Sequence, residues 1–153
     1  MSKSRVTITA GAVFLSAALA VSLFSAQKAS APTSEQILTW DCETAAYKPE
    51  NITITCADGG IYVEKIQWST WDQEGATGLG IYSENLCEPN CAEGKRVIAA
   101  VKLTLSNLTK QNDKYYLRTL DIATSDGKDF PWGRANGLQV DVMEFVDNMK
   151  NDN

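Results

Sequence analysis

The chain has 153 residues, 14 basic and 19 acidic side chains, four cysteines, no histidine and a formal net charge of −5. Without histidine, Ser-His-Asp and Cys-His catalysis and mixed Cys/His zinc sites are excluded. An acidic chain lacking a basic stripe is poorly suited to nucleic acid or anionic lipid, since both require clustered Lys and Arg. No nucleic-acid partner and no cofactor are expected.

Lys3 and Arg5 precede a run from Val6 to Gln27 with no charged residue, ending in small residues around Ser25 and Ala26. A basic start, an apolar middle and a small-residue exit make residues 1–26 a signal peptide or an uncleaved signal anchor. A run of about 20 apolar residues is long enough to span a bilayer, and Phe24 sits where a cleavage site prefers a small side chain. Membrane contact is expected only through residues 6–26. The protein is thus expected to be exported, either secreted or anchored to the outer face of the cytoplasmic membrane. Without residues 1–26, which hold two bases and no acid, 12 basic face 19 acidic side chains, a net −7. Residues 27–38, rich in Ala, Ser, Thr and Lys, read as a tether, and 39–150 as a single domain with one modest core.

An even cysteine count in an exported chain points to disulfides. Cys42, Cys56, Cys87 and Cys91 allow three connectivities, which sequence alone does not separate. The reading leans to neighbour pairing, Cys42–Cys56 and Cys87–Cys91, with a bridge between the two cysteine pairs as the rival. Only Cys87 and Cys91 have the short spacing of a zinc pair, so no metal is expected.

Alternation of apolar and polar residues then marks a series of strands. Ile52–Cys56 and Ile61–Trp68 flank the turn Asp58-Gly59-Gly60 as a hairpin, with Tyr62, Ile66 and Trp68 placed on one face. Ala76–Tyr82 is a third strand whose Gly78 and Gly80 suggest a bulge or room for a tryptophan. Val97–Ser106 alternates most cleanly, turns through Lys110–Lys114 and returns as Tyr115–Thr124. Leu138, Val142, Phe145, Val146 and Met149 fall at helical spacing, giving a short helix over about 138–149, although Leu138, Val140 and Val142 also alternate. The expected fold is all-β: a small disulfide-tied antiparallel sandwich or barrel, with a short C-terminal helix.

The segments Cys56-Ala57-Asp58-Gly59-Gly60, Trp68-Ser69-Thr70-Trp71, Ala76-Thr77-Gly78-Leu79-Gly80 and Asn85-Leu86-Cys87-Glu88-Pro89-Asn90-Cys91-Ala92-Glu93-Gly94 occur in that order, before Tyr115–Leu120. Together they resemble a group of small exported proteins common in actinobacteria. The resemblance implies a secreted or envelope-attached domain. It implies no activity and assigns no functional residue.

Exposed tryptophans on an exported β domain can stack on sugar rings or anchor a protein. Trp68 is expected in the core, while Trp71 falls on the opposite face if the strand runs on regularly. Trp71 and Trp132 are therefore the candidate binding patch. Glu64, Asp72 and Glu74 are the acids that a glycan hydrolase could pair. Asp126 with Asp129, and Glu88 with Glu93, could approach calcium, but neither pair has EF-hand spacing. The expected function is a non-enzymatic binding or interaction module at the cell envelope, taking an envelope glycan or protein. The alternative is a cell-wall or glycan hydrolase using paired carboxylates.

Overall fold

A computed structural model describes residues 30–42 and 44–151. The expected signal segment, residues 1–26, lies outside the described residues. Among the described residues no helix is long and apolar enough to cross a membrane.

The chain is mostly β. Its strands are β1 (Ile37–Asp41), β2 (Thr44–Ala46), β3 (Ile52–Thr53), β4 (Ile61–Trp71), β5 (Ala76–Asn85), β6 (Arg96–Gln111), β7 (Lys114–Thr124) and β8 (Leu138–Asp141), followed by the helix α1 (Glu144–Asn151). They form one curled sheet, a half-barrel in the order β2-β1-β7-β6-β5-β4-β3, with β8 also paired to β7. The pairing is antiparallel except where β1 runs parallel to β7, Ile37 opposite Tyr115 and Leu38 opposite Tyr116. The sheet is therefore mixed, not purely antiparallel as expected. A parallel pair needs a long connection, which the intervening hairpins supply.

Period-2 alternation builds the concave face. Val101, Leu103 and Leu105 of β6, Leu120 and Ile122 of β7 and Tyr82 of β5 are buried, while alternate residues such as Leu79 and Ile98 point outward. Asn112 and Asp113, both at positive φ, make the two-residue turn between β6 and β7.

β4 departs from simple alternation. Its register with β5 slips between Glu64 and Gln67 and again between Trp68 and Thr70. Each slip inserts one extra residue, which moves every later side chain to the other face. Lys65, at φ 54°, lies in the first slip. Val63, Ile66 and Trp71 consequently all face inward. Tyr62 does not share a face with Ile66 and Trp68, as uninterrupted alternation would require. Its ring instead lies under the guanidinium of Arg96, 4.7 Å from the ring centroid. Gly78 stands opposite Trp68, where a Cβ would come within 2.9 Å of the indole ring. The small residue makes room for the ring.

Both chain ends of the domain differ from the sequence reading. Pro32 and Ile37 are buried, and the Gln73 side-chain amide donates to the Pro32 carbonyl at 2.9 Å. The stretch read as a tether thus already contributes to the domain from Pro32 on. At the other end Leu138–Asp141 is a strand, with Val140 opposite Leu120, and the helix begins only at Glu144. Alternation, not helical spacing, governs residues 138–141. The Asp141 carboxylate accepts from the Met143 N–H at 3.0 Å and starts the turn into α1.

Candidate functional site

Cys42 follows β1 and Cys56 follows β3, so these two cysteines stand near opposite margins of the curled sheet. They are joined as a disulfide, with Cα atoms 5.3 Å apart. Beside it the Thr53 N–H donates to the Asp41 carboxylate at 2.7 Å. This staple ties one end of the half-barrel's margins together. Cys87 and Cys91 form the second disulfide, within the loop between β5 and β6. Neighbour pairing is what the structure contains.

Next to the first disulfide the closure is incomplete, and a groove opens. One depression of about 350 Å³ runs between Thr53–Ala57 and Val140–Val142 and is flanked by Glu144, Phe145 and Asn148 of α1. A second, of about 440 Å³, lies over Asp41, Cys42, Thr44 and Gly59. The two share Thr53, Cys56 and Phe145 in their linings, so they adjoin. Ile54, Val140 and Val142 supply an apolar floor that also packs on the core. Phe145 is 44 % exposed above it, although Met143 and Val146 beside it in sequence are buried.

Arg118 fixes this helix over the sheet. Its guanidinium donates to Asp141 at 2.6 and 2.8 Å and to Asp147 at 2.6 Å. Gln111 adds a hydrogen bond to Asp147 at 3.1 Å. The hydrogen bonds to Asp141 and Asp147, together with their charges, outweigh burial and hold the guanidinium above its ordinary value.

A second polar cluster has a different character. Glu84 on β5 is buried. Its carboxylate accepts from the Tyr82 hydroxyl at 3.1 Å, the Trp132 indole N–H at 3.1 Å and the Arg134 Nε at 2.9 Å, and from a second Arg134 nitrogen. Burial alone would raise the carboxyl, but these hydrogen bonds and the Arg134 charge overcome it and hold the group below its ordinary value. Burial and the neighbouring Glu84 charge push the Tyr82 hydroxyl upward. Both carboxylate oxygens are engaged. This cluster pins the loop after β7 to the sheet.

The expected aromatic patch does not form. Trp71 is only 5 % exposed. The slip after Trp68 rotates it inward, where it meets Trp68 edge to face at 4.9 Å and Tyr47 at 5.7 Å. Trp132 is half-buried and stacks with Tyr82 at 6.0 Å, tilted against Phe130 at 5.0 Å. The partners of Trp71 and of Trp132 are separate sets. Trp40 lies near Tyr116 at 6.4 Å, and its buried indole N–H has no acceptor among the described residues.

Of the candidate acids, Glu64 stands apart, whereas Asp72 and Glu74 line one shallow depression of about 270 Å³ and Asp126 and Asp129 line another of about 280 Å³. Glu64 on β4 precedes Asp72, just past the strand, by eight residues, about 20 Å once the two slips are taken out, and its carboxylate faces Lys65 at 3.8 Å. Asp72 accepts from the backbone N–H of Glu74 and Gly75, which makes it a turn residue. Asp126 accepts from the Lys128 N–H at 3.1 Å and Asp129 from the Asn136 N–H at 2.9 Å. Glu93 accepts from Asn90 at 2.9 Å. Among the described residues no three acids or cysteines gather as a metal site.

Sequence reasoning missed the groove, Phe145 and the Glu84–Arg134 pair. The spacing of Met143 and Val146, three residues apart, marks the buried side of the helix and leaves Phe145 off it. Nothing local distinguishes Glu84 from a solvated strand acid.

No protein-family model, no curated protein and no solved structure matches the chain.

Proposed function

We propose that the protein is an exported, non-enzymatic binding module of the cell envelope, and that it binds through the groove beside Cys42–Cys56. The exposed Phe145 above an apolar floor carries this reading. What sets Phe145 apart from the more exposed Leu79 and Ile98 is an aromatic ring over an apolar-floored depression, where such a side chain serves as a binding anchor. Two disulfides suit an oxidising, extracellular setting. The basic and apolar run at residues 1–26 and the resemblance carried by the segments between Cys56 and Leu120 point the same way. The hydrolase alternative has less support: Asp72 and Glu74 share a shallow depression, but the Asp72 carboxylate is occupied as a turn acceptor by the Glu74 and Gly75 N–H groups.

Retention on a purified envelope fraction tests the reading. Phe145→Ser is expected to lower retention at least about tenfold, the scale of losing one apolar anchor. Ile98→Ser, on the outer sheet face, is expected to leave it unchanged. Equal retention of both variants would remove the groove from consideration.

A further inference from the structure

We infer that the groove takes an extended basic-apolar peptide, which adds to the free edge of β8 as a further strand. The inference rests on the groove being the binding site and names its occupant.

β8 pairs with β7 alone, Asp141 opposite Thr119, Val140 opposite Leu120, Gln139 opposite Asp121 and Leu138 opposite Ile122. Just beyond it, the Val142 N–H donates to the Arg118 carbonyl at 3.0 Å. In an antiparallel ladder, residues that bond inward alternate with residues whose N–H and C=O point away from the partner. Val142 bonds inward, so Val140 and Leu138 do as well. The N–H and C=O of Gln139 and Asp141 therefore point off the sheet, and no other strand among the described residues pairs with them. Val140, Asp141 and Val142 form one wall of the groove. Asp141 thus presents its backbone N–H and C=O within the groove, beside Ile54, Val140 and Val142, and Gln139 continues the same free edge just outside the lining. An extended peptide satisfies both features together: its backbone pairs with the edge while alternate side chains enter the groove.

Charge selects the kind of peptide. Asp41, Asp141 and Glu144 line the two depressions, and among the described residues no lysine or arginine lines either. Arg118 offsets part of the Asp141 charge, which leaves an acidic rim on a chain that is acidic overall. Basic residues alternating with apolar ones complement the rim and the floor. A glycan would meet the apolar floor without matching the edge.

The test uses the protein with both disulfides intact and two synthetic peptides, alternating Lys-Val and alternating Glu-Val, of equal length. Binding is followed by isotope-detected amide exchange and by titration. The Lys-Val peptide is expected to bind and to slow exchange of the Gln139 and Asp141 amides at least about tenfold, while the Glu-Val peptide does not bind. Gln139→Pro removes one outward donor without touching the inward ladder, a position where an edge strand accepts proline. It is expected to weaken the Lys-Val peptide about tenfold, as is Glu144→Lys. If Gln139→Pro fails to fold, amide protection in the unaltered protein still decides the matter. Peptide binding without protection of Gln139 and Asp141, equal binding of the two peptides, or no binding at all would each overturn strand addition. Envelope retention that depends on Phe145 would then show the groove reading standing without it. Loss of that dependence would show the groove reading itself to be wrong.

Discussion

The indole N–H of Trp71 donates to the carbonyl of Ile37 at 2.9 Å. The bond joins the end of β4 to the start of β1, strands that three others separate in the order of the sheet. Together with Cys42–Cys56 it draws the margins of the half-barrel together. Trp71 is therefore a closure residue, although its position in the strand pattern pointed outward.

Trp71→Ala removes the ring from its contacts with Trp68 and Tyr47 and leaves the Ile37 carbonyl without this donor. The expected cost is about 3–5 kcal/mol, read as a lower urea midpoint. Trp71→Phe keeps most of the packing and loses the hydrogen bond, so its cost is expected to be smaller. If Trp71→Ala unfolds at the same urea concentration as the unaltered protein, Trp71 does not hold the margins together.

Glu84→Gln leaves the Arg134 guanidinium without its counter-charge. The expected cost is about 2–3 kcal/mol at neutral pH, moderated because Arg134 is one-third exposed. The folded state holds the Glu84 carboxyl below its ordinary value. Its stabilisation is therefore fully present above the unfolded glutamate range, about pH 4, and is lost as pH falls through the lower folded value. Urea unfolding at several pH values is expected to show the two proteins converging in acid. A stability gap that stays constant down to acid pH would assign Glu84 a packing role instead.

Arg118→Leu removes the donor that Asp141 and Asp147 share. Amide exchange in α1 is expected to quicken while that of β6 stays slow, because the helix loses its clamp and the sheet keeps its ladder. Unchanged exchange in α1 would mean that Met143 and Val146 suffice to dock it.

Replacing Cys42 and Cys56 by Ser opens a link of sequence separation 14. The chain-entropy model gives a cost of about 3 kcal/mol. The loss of one groove wall is expected to appear as well, as weakened envelope retention under conditions where the protein remains folded. Replacing Cys87 and Cys91, which line neither depression, is expected to spare retention.

Much of the fold was legible from alternation. Val101, Leu103 and Leu105 announce the inner face of β6, and Asn112-Asp113 falls in the polar stretch expected to turn. Trp71 was not legible, because one extra residue near Ser69 reverses the face of everything after it, and no local composition marks the slip. The parallel contact of Ile37 with Tyr115 was hidden for a related reason: the two residues are far apart in sequence and neither carries a pairing signal. The groove depends on where the margins of the sheet fail to meet. That follows from curvature and from the position of Cys42–Cys56, not from any motif around Phe145.

Site-specific photocrosslinking tests the groove as the binding site most directly. Benzoylphenylalanine is placed at Phe145, and separately at Ile98, which is the more exposed of the two, 66 % against 44 %. The expected result is a discrete set of adducts with envelope material from position 145 and none from position 98. Adducts from Ile98 equal to or stronger than those from Phe145 would contradict the groove.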